Sequence, residues 1–309
     1  MRTTTEVLKI GTRKSPLAMA QTQYVINALS AKHTGLLFKI KPIQTEGDSG
    51  TSSLESSQGY KSAFTGTIEH QLLDGKIDVA VHSLKDLPND DTAGLTIGSI
   101  PQRAEARDVF ISETVDRISD LPPNAIVGTS SIRRKAQLQA RNPDIRIKDI
   151  RGNVETRIKK IGSGYDGIIL AAAGLIRLNL QTKIKEFLPV DFMLPSSGQG
   201  ALAVQIRSDD EEIGRIVKTI ENVNDRITTS AERSFSRRLG GDCDIPLAAY
   251  AEIINGSLIL TGLIASREGD RIIKDQIEST LSAPEELGVT LAERILKKGG
   301  RQLLEVNRN

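Results

Sequence analysis

Short apolar runs that alternate with amphipathic ones, in two successive sets, constrain this chain more than any other feature. VLKIG (Val7 to Gly11) reads as a strand, and Ser15-Pro16 opens a helix to about Ser30, with Ser at the cap and Pro at the first helical position. LLFKIKPIQ (Leu36 to Gln44) reads as a second strand, Glu46 to Tyr60 as a Ser/Gly-rich loop, Phe64 to Leu73 as a helix and IDVAVHS (Ile77 to Ser83) as a strand. From about Gln102 the alternation restarts with DVFIS, AIVGTSSIRRKAQLQ, IRIKDIRGNVETRIKK and DGIILAAAGLIRL. Strands followed by helices in this order predict an α/β fold with parallel, doubly wound sheets. GALAVQIRS (Gly200 to Ser208) reads as a strand returning to the first unit, so two α/β domains joined by two crossings are expected to hinge around a cleft.

After about Asp209 the pattern changes. Two polar helices reach Arg238, LAAYAEI and SLILTGLIA form a hairpin around the tight-turn dipeptide Asn255-Gly256, and a helix lies near Thr290 to Lys298. A smaller C-terminal α+β domain follows. The expected division is 1–101 with 200–219, then 102–199, then 220–309. A loop as long as 46–60 inside a compact domain reads as a functional lid or as a disordered stretch.

Lys plus Arg number 41 against 39 Asp plus Glu, a formal charge of +2, so no overall basic field exists to hold nucleic acid or an anionic membrane. Aromatics at 3% leave few platforms for stacking bases. The N-terminal residues contain no apolar core resembling a signal peptide. The best apolar run, Gly167 to Ile176, is about ten residues against the roughly 20 that span a bilayer. A soluble cytoplasmic protein is expected, with neither nucleic acid nor membrane as partner. One cysteine excludes an intramolecular disulfide, and three histidines with no i,i+4 pairing around a Glu argue against a metal site.

GSGYDG (Gly162 to Gly167) matches the dinucleotide fingerprint literally, but a helix precedes it and a strand follows. That order reverses what pyrophosphate binding needs, so a helix-to-strand turn is expected. No G-x-S-x-G elbow is present. What stands out is a set of arginines at strand ends: Arg13, Arg133, Arg134, Arg151, Arg157 and Arg177. Loops at the C-terminal ends of such strands line the ligand crevice, and guanidinium groups bind carboxylates in bidentate pairs, so the set predicts a cleft for a ligand with several carboxylates or phosphates; the alternative is that each is a surface charge. Asp86 ends AVHSLKDLP, where locally it reads as a turn residue or as a carboxylate facing that crevice. Cys243, in RRLGGDCDIP, reads as an inert small hydrophobe or as an accessible thiol; Asp242 and Asp244 disfavour its thiolate.

Taken in order, GTRKSPLAMAQ, TEGD, KSAF, DVAVHSLKDLP, VGTSSIRR, RGNVETR, DGIILAAAGLIRL, LPSSGQGALAVQ, AERSF and LGGDCDIP resemble the porphobilinogen deaminase (hydroxymethylbilane synthase) family along nearly the whole chain. The resemblance implies two periplasmic-binding-protein-like domains plus a third that carries the cysteine. It also implies a dipyrromethane cofactor bound by a thioether at Cys243, and a catalytic carboxylate at Asp86. Cofactor contacts carry over to Lys85, Asp86, Ser131, Arg133 and Arg134, and substrate contacts to Arg13, Ser15, Arg151, Arg157, Arg177 and Gln199. Lys61 and Phe64 match the family's lid. The implied substrate is porphobilinogen, which loses ammonia to give an azafulvene-like electrophile that the growing chain's terminal pyrrole attacks; a monomer is implied. The chain departs from the family at Lys61-Ser62-Ala63-Phe64 in place of Lys-Gly-x-Phe, at Thr67 in place of Glu, and at Gly241-Asp242 in place of Gly-Gly. The competing expectation, from two hinged α/β domains alone, is a non-catalytic solute-binding protein for a polycarboxylate ligand.

Overall fold

The computed structural model describes residues 7–45, 57–240 and 245–308, with the side chains of 57–63 and 308 left aside. The chain divides into two compact units, Met1–Ala104 with Ala201–Ile227, and Glu105–Gly200 with Thr228–Asn309.

In the first unit β1 (Val7–Arg13) leads into α1 (Pro16–Lys32), β2 (Leu37–Ile43), α2 (Ser57–Leu73), β3 (Val79–Ser83) and β4 (Leu95–Ser99). The chain returns with β10 (Leu202–Arg207) and α6 (Glu211–Lys218). The sheet runs β2-β1-β3-β10-β4, parallel across β2, β1 and β3, while β10 is antiparallel to both its neighbours. The expected parallel core is therefore present, and the returning strand makes the sheet mixed. The helix expected from Phe64 begins earlier, at Ser57, so the C-terminal end of the expected loop is helical.

Strand alternation decides both faces of this sheet. Leu8, Ile10, Val79, Val81, Leu202, Val204 and Ile206 point one way and pack with Val25 and Leu29 of α1 and Ile213 and Val217 of α6. Ala80 points the other way, in a cluster with Ile43, Ile77, Leu95 and the α2 residues Ile68 and Leu72. Each large aliphatic side chain removed from water here stabilises the unit by about 1.5–3 kcal/mol before the entropy of ordering it.

The second unit repeats the plan. Here β5 (Asp108–Ser112), β6 (Ile126–Gly128), α3 (Ile132–Arg141), β7 (Arg146–Lys148), α4 (Val154–Ile158), β8 (Gly167–Ala171), α5 (Ala172–Arg177) and β9 (Glu186–Phe187) form a mixed sheet ordered β7-β6-β8-β5-β9. The dinucleotide-like GSGYDG is a turn between α4 and β8, with Gly162 at φ 78° and Gly164 at φ 97°. The same unit holds the antiparallel sheet of β11 (Leu247–Ile254), β12 (Ser257–Ala265) and β13 (Ile272–Ser279). Asn255 at φ 51° and Gly256 at φ 83° make the expected hairpin turn.

Helix α7 (Val223–Arg238) seats Phe235 against Gly262 of β12, where an added Cβ would come within 2.6 Å of the ring. Gly288 of α8 (Pro284–Ile295) lies so close to α7 that a Cβ would approach the Ala231 carbonyl oxygen to 2.4 Å. The terminal helix is longer than expected: after a left-handed kink at Gly299 it continues as α9 (Arg301–Arg308).

Candidate active site

In the first unit one pocket is lined by Arg13, Ser15, Leu17, Ala18, Gln21, Phe64, Thr65, Val81, His82, Ser83 and Asp86. Its walls are the C-terminal ends of β1 and β3 and the first turns of α1, the place where such sheets take ligands. Ser15 accepts the Ala18 backbone N–H at 3.2 Å and so caps α1. Gln21, on the next turn, donates to Ser83 Oγ at 2.8 Å and ties α1 to the end of β3.

Immediately after β3 the chain tightens into a single 3-10 turn, Leu84–Asp86. Leu84 and Leu87 are buried anchors on either side of Lys85 and Asp86, which are both half-buried. The apolar anchors thus hold a carboxylate at the pocket in a short, fixed turn. Across the pocket the Arg13 guanidinium lies over the Phe64 ring, 4.2 Å from its centroid. The pocket thus brings together one carboxylate, Asp86, and one guanidinium, Arg13. A carboxylate and a guanidinium facing one pocket can take a ligand that has both an N–H to donate and an anionic group to pair.

The remaining sequence-predicted residues of the second unit fall into two groups. Arg133 and Arg134 turn inward from the first turn of α3, whose cap is Ser131, accepting from the Arg134 backbone N–H at 3.5 Å. Arg133 donates to Asp108 Oδ2 at 2.7 Å and to the Leu194 carbonyl at 2.6 Å. Arg134 donates to Asp108 Oδ1 through Nε at 3.1 Å and Nη2 at 2.8 Å, and to the Ile169 carbonyl. Gln199, fully buried, gives the same oxygen a further bond at 2.8 Å. Burial alone would raise the Asp108 carboxyl, but the charges and hydrogen bonds of the two arginines outweigh it and hold it at about 2. Asp108 therefore remains ionised, the anionic centre of a buried cluster.

Arg151, Arg157 and Arg177 lie nearer the surface. Arg151 is exposed, Arg157 donates to the Gly152 carbonyl at 2.7 Å, and Arg177 donates to the Gly200 carbonyl at 2.7 Å. Cys243 and Asp242 lie outside the described residues, as do the side chains of Lys61 and Ser62.

Sequence reasoning passed over three residues that matter to this geometry. Asp108 opens the run DVFIS, and a strand-initial Asp carries no local sign of two distant arginines. His82 sits inside the quoted AVHSLKDLP and is 5% exposed beneath the pocket. Glu232, from AERSF, is fully buried and accepts the Gly198 and Ala251 backbone N–H groups at 2.7 and 2.9 Å, fixing the LPSSGQG segment to β11. Among the described residues no helix is long and apolar enough to cross a membrane, and no cluster of potential metal ligands appears.

Two family models match the chain: Porphobilinogen deaminase, dipyromethane cofactor binding domain, over residues 8–215, and Porphobilinogen deaminase, C-terminal domain, over residues 227–297. The porphobilinogen deaminase of Clostridioides difficile is 47% identical over 291 residues, covering 94% of this chain and 97% of that protein. That of Thermus thermophilus is 45% identical over 300 residues, covering 96% and 98%. Among solved structures, a nutrient binding protein from Burkholderia cenocepacia bound to methionine aligns with a TM-score of 0.44 at 13% identity, over 68% of this chain and 89% of that one.

Proposed function

The chain belongs to the porphobilinogen deaminase family, and from that premise we propose that it joins four porphobilinogen molecules head to tail and releases hydroxymethylbilane by hydrolysis. The observation that carries this reading is Asp86, held half-buried at a pocket that Arg13 also lines. A solute-binding role is not favoured, because the relatives matched over nearly their whole length are deaminases. The dipyrromethane primer, attached by a thioether to Cys243, supplies when bound the terminal pyrrole carbon on which the product is built.

Asp86 does the chemical work assigned to this chain's own residues. Its carboxylate accepts the pyrrole N–H, stabilises positive charge as ammonia departs with the electron pair of the C–N bond, and assists loss of the proton after each coupling. A positioned charge or base of this kind typically supplies ~10²–10⁴-fold. Lys85 and Ser131 assist in holding the primer. Arg13, Ser15, Arg151, Arg157 and Arg177 bind substrate, the arginines by neutralising its acetate and propionate groups, and Gln199, fully buried against Asp108, supports that surface from behind. For Arg133 and Arg134 the bonds to Asp108 support a role in shaping the cofactor's surroundings as much as in touching it. Lys61 and Phe64 act as the lid, Phe64 through its contact with Arg13. The segment 220–309 functions as a third domain that presents Cys243, and the protein works as a cytoplasmic monomer.

Intact mass of the purified full chain, alone and after adding porphobilinogen, tests the reading, with Cys243→Ser as control. The expected result is an adduct of two linked pyrroles that the control lacks, followed by a ladder of pyrrole additions. A bare chain mass that stays unchanged with substrate overturns it.

A further inference from the structure

His82 is a titratable side chain at the pocket for which the deaminase reaction, as derived above, has no use. It is 5% exposed, lines the pocket with Asp86, and its Nε2 has no hydrogen-bond partner by distance and angle among the described residues. Among the described residues, the only other buried side-chain atoms in that condition are Ser99 Oγ and Gln205 Oε1. Strand register brings His82 and Gln205 together. In the antiparallel pairing of β3 with β10, His82 faces Ala203 and Ala80 faces Gln205, so the two polar side chains are diagonal neighbours on one face, beside two alanines.

The amide of Gln205 cannot turn over freely. Its Nε2 donates to Glu69 Oε1 at 2.8 Å, and the same oxygen accepts from Thr92 at 3.0 Å. A carboxylate oxygen only accepts, so the NH₂ end of Gln205 stays with Glu69 and its Oε1 is left for His82. Two orphaned buried atoms are satisfied together if the imidazole carries its hydrogen on Nε2 and donates it to Gln205 Oε1. The other ring nitrogen is then a bare acceptor.

We infer that the Thr92, Glu69 and Gln205 chain locks His82 as the neutral Nε2–H tautomer, so that Nδ1 serves as a substrate-binding acceptor for an N–H of porphobilinogen's aminomethyl group. This rests on the function proposed above. Burial first, and the charge of Arg13 with it, push the imidazole down to about 4 although the neighbouring Gln205 amide pulls the other way, so the ring stays neutral at physiological pH. With the pyrrole N–H on Asp86 and an amine N–H on His82, the two acceptors would fix both ends of the reacting unit. No proton moves to His82 in this role.

Two measurements test it. Long-range ¹⁵N NMR of the histidine-labelled protein without substrate is expected to show an amine-type Nε2 and an imine-type Nδ1 for His82 between about pH 6 and 8. Gln205→Met, which removes the acceptor, should let the Nδ1–H form appear. A wild-type Nδ1–H or an imidazolium in that range overturns the inference whatever the activity. The second measurement compares two variants for porphobilinogen turnover, since an Asn amide reaches the position of Nδ1 and a Gln amide that of Nε2. His82→Asn should hold KM within about threefold, whereas His82→Gln raises it about tenfold, the worth of one hydrogen bond, with kcat changed less. Equal effects of the two variants, or none, would mean that the ring only fills space. Absence of any pyrrole ladder in the wild-type chain would instead sink the deaminase reading and leave the tautomer result standing.

Discussion

Arg134 holds Asp108 through two N–H groups, Nε at 3.1 Å and Nη2 at 2.8 Å from one carboxylate oxygen, across 26 residues of sequence. Arg133 takes the other oxygen at 2.7 Å, so a single buried anion orients both guanidinium groups of α3. Asp108→Asn keeps the shape and deletes the charge, leaving two buried cations underpaired. The expected loss is about 3 to 5 kcal/mol of stability, the usual cost of breaking a buried pair from one side, read as a lower urea midpoint at unchanged slope.

Asp86→Asn should separate chemistry from folding. Asp86 is half-buried and sits between the anchors Leu84 and Leu87, so its neutral analogue is expected to leave the unfolding midpoint nearly unchanged. Single-turnover deamination of porphobilinogen should slow by ~10²–10⁴-fold. Full activity in the variant would remove the carboxylate from the mechanism.

Arg13→Lys tests geometry at constant charge. An ammonium cannot lie flat over the Phe64 ring or grip a carboxylate with two parallel N–H groups. The expected effect is a rise in KM of about tenfold with a small change in melting temperature, because the contact with Phe64 contributes only about 0.5–1 kcal/mol where it is partly exposed.

Acid should destabilise the protein in two successive pH windows. Unfolded, His82 would bind a proton below its ordinary value of 6.5, whereas in the fold it resists until about 4. The unfolded chain therefore holds more protons in that window. Stability from this group is complete above about 6.5 and falls by on the order of 3 kcal/mol as pH drops to about 4. Asp108 acts in the next window: its contribution is present above the ordinary 3.8 and is lost as pH falls towards about 2. Urea titrations across pH should show both windows, and His82→Asn should flatten only the upper one.

Element by element, the local pattern was a good guide. The apolar alternation of β1 and β3, the Ser15-Pro16 start of α1 and the Asn255-Gly256 turn are each decided by residues within a few positions of one another, and all appear where local chemistry puts them. The ordered motifs, from GTRKSPLAMAQ to LGGDCDIP, were enough to place the chain in its family. The mixed character of the sheets was less legible, because strand direction in β10 and β5 depends on which neighbour each one meets.

The partners of the polar side chains were decided only by the tertiary structure. The double arginine of α3 reads in sequence as a pair of free cations at a strand end, and what turns both inward is one carboxylate at the start of β5. Gln199 reaches the same carboxylate across 91 residues, and Gln205 reaches Glu69 across 136. Periodicity encodes which face of an element is buried, since that depends on its own residues. Where a buried charge or amide finds its counterpart depends on strand register and on helices brought together from distant segments. That physical difference is why Arg13, Ser15, Phe64 and Asp86, which line the pocket, stand in recognisable motifs, while the contact of Gln205 with Glu69 behind it has no local sign.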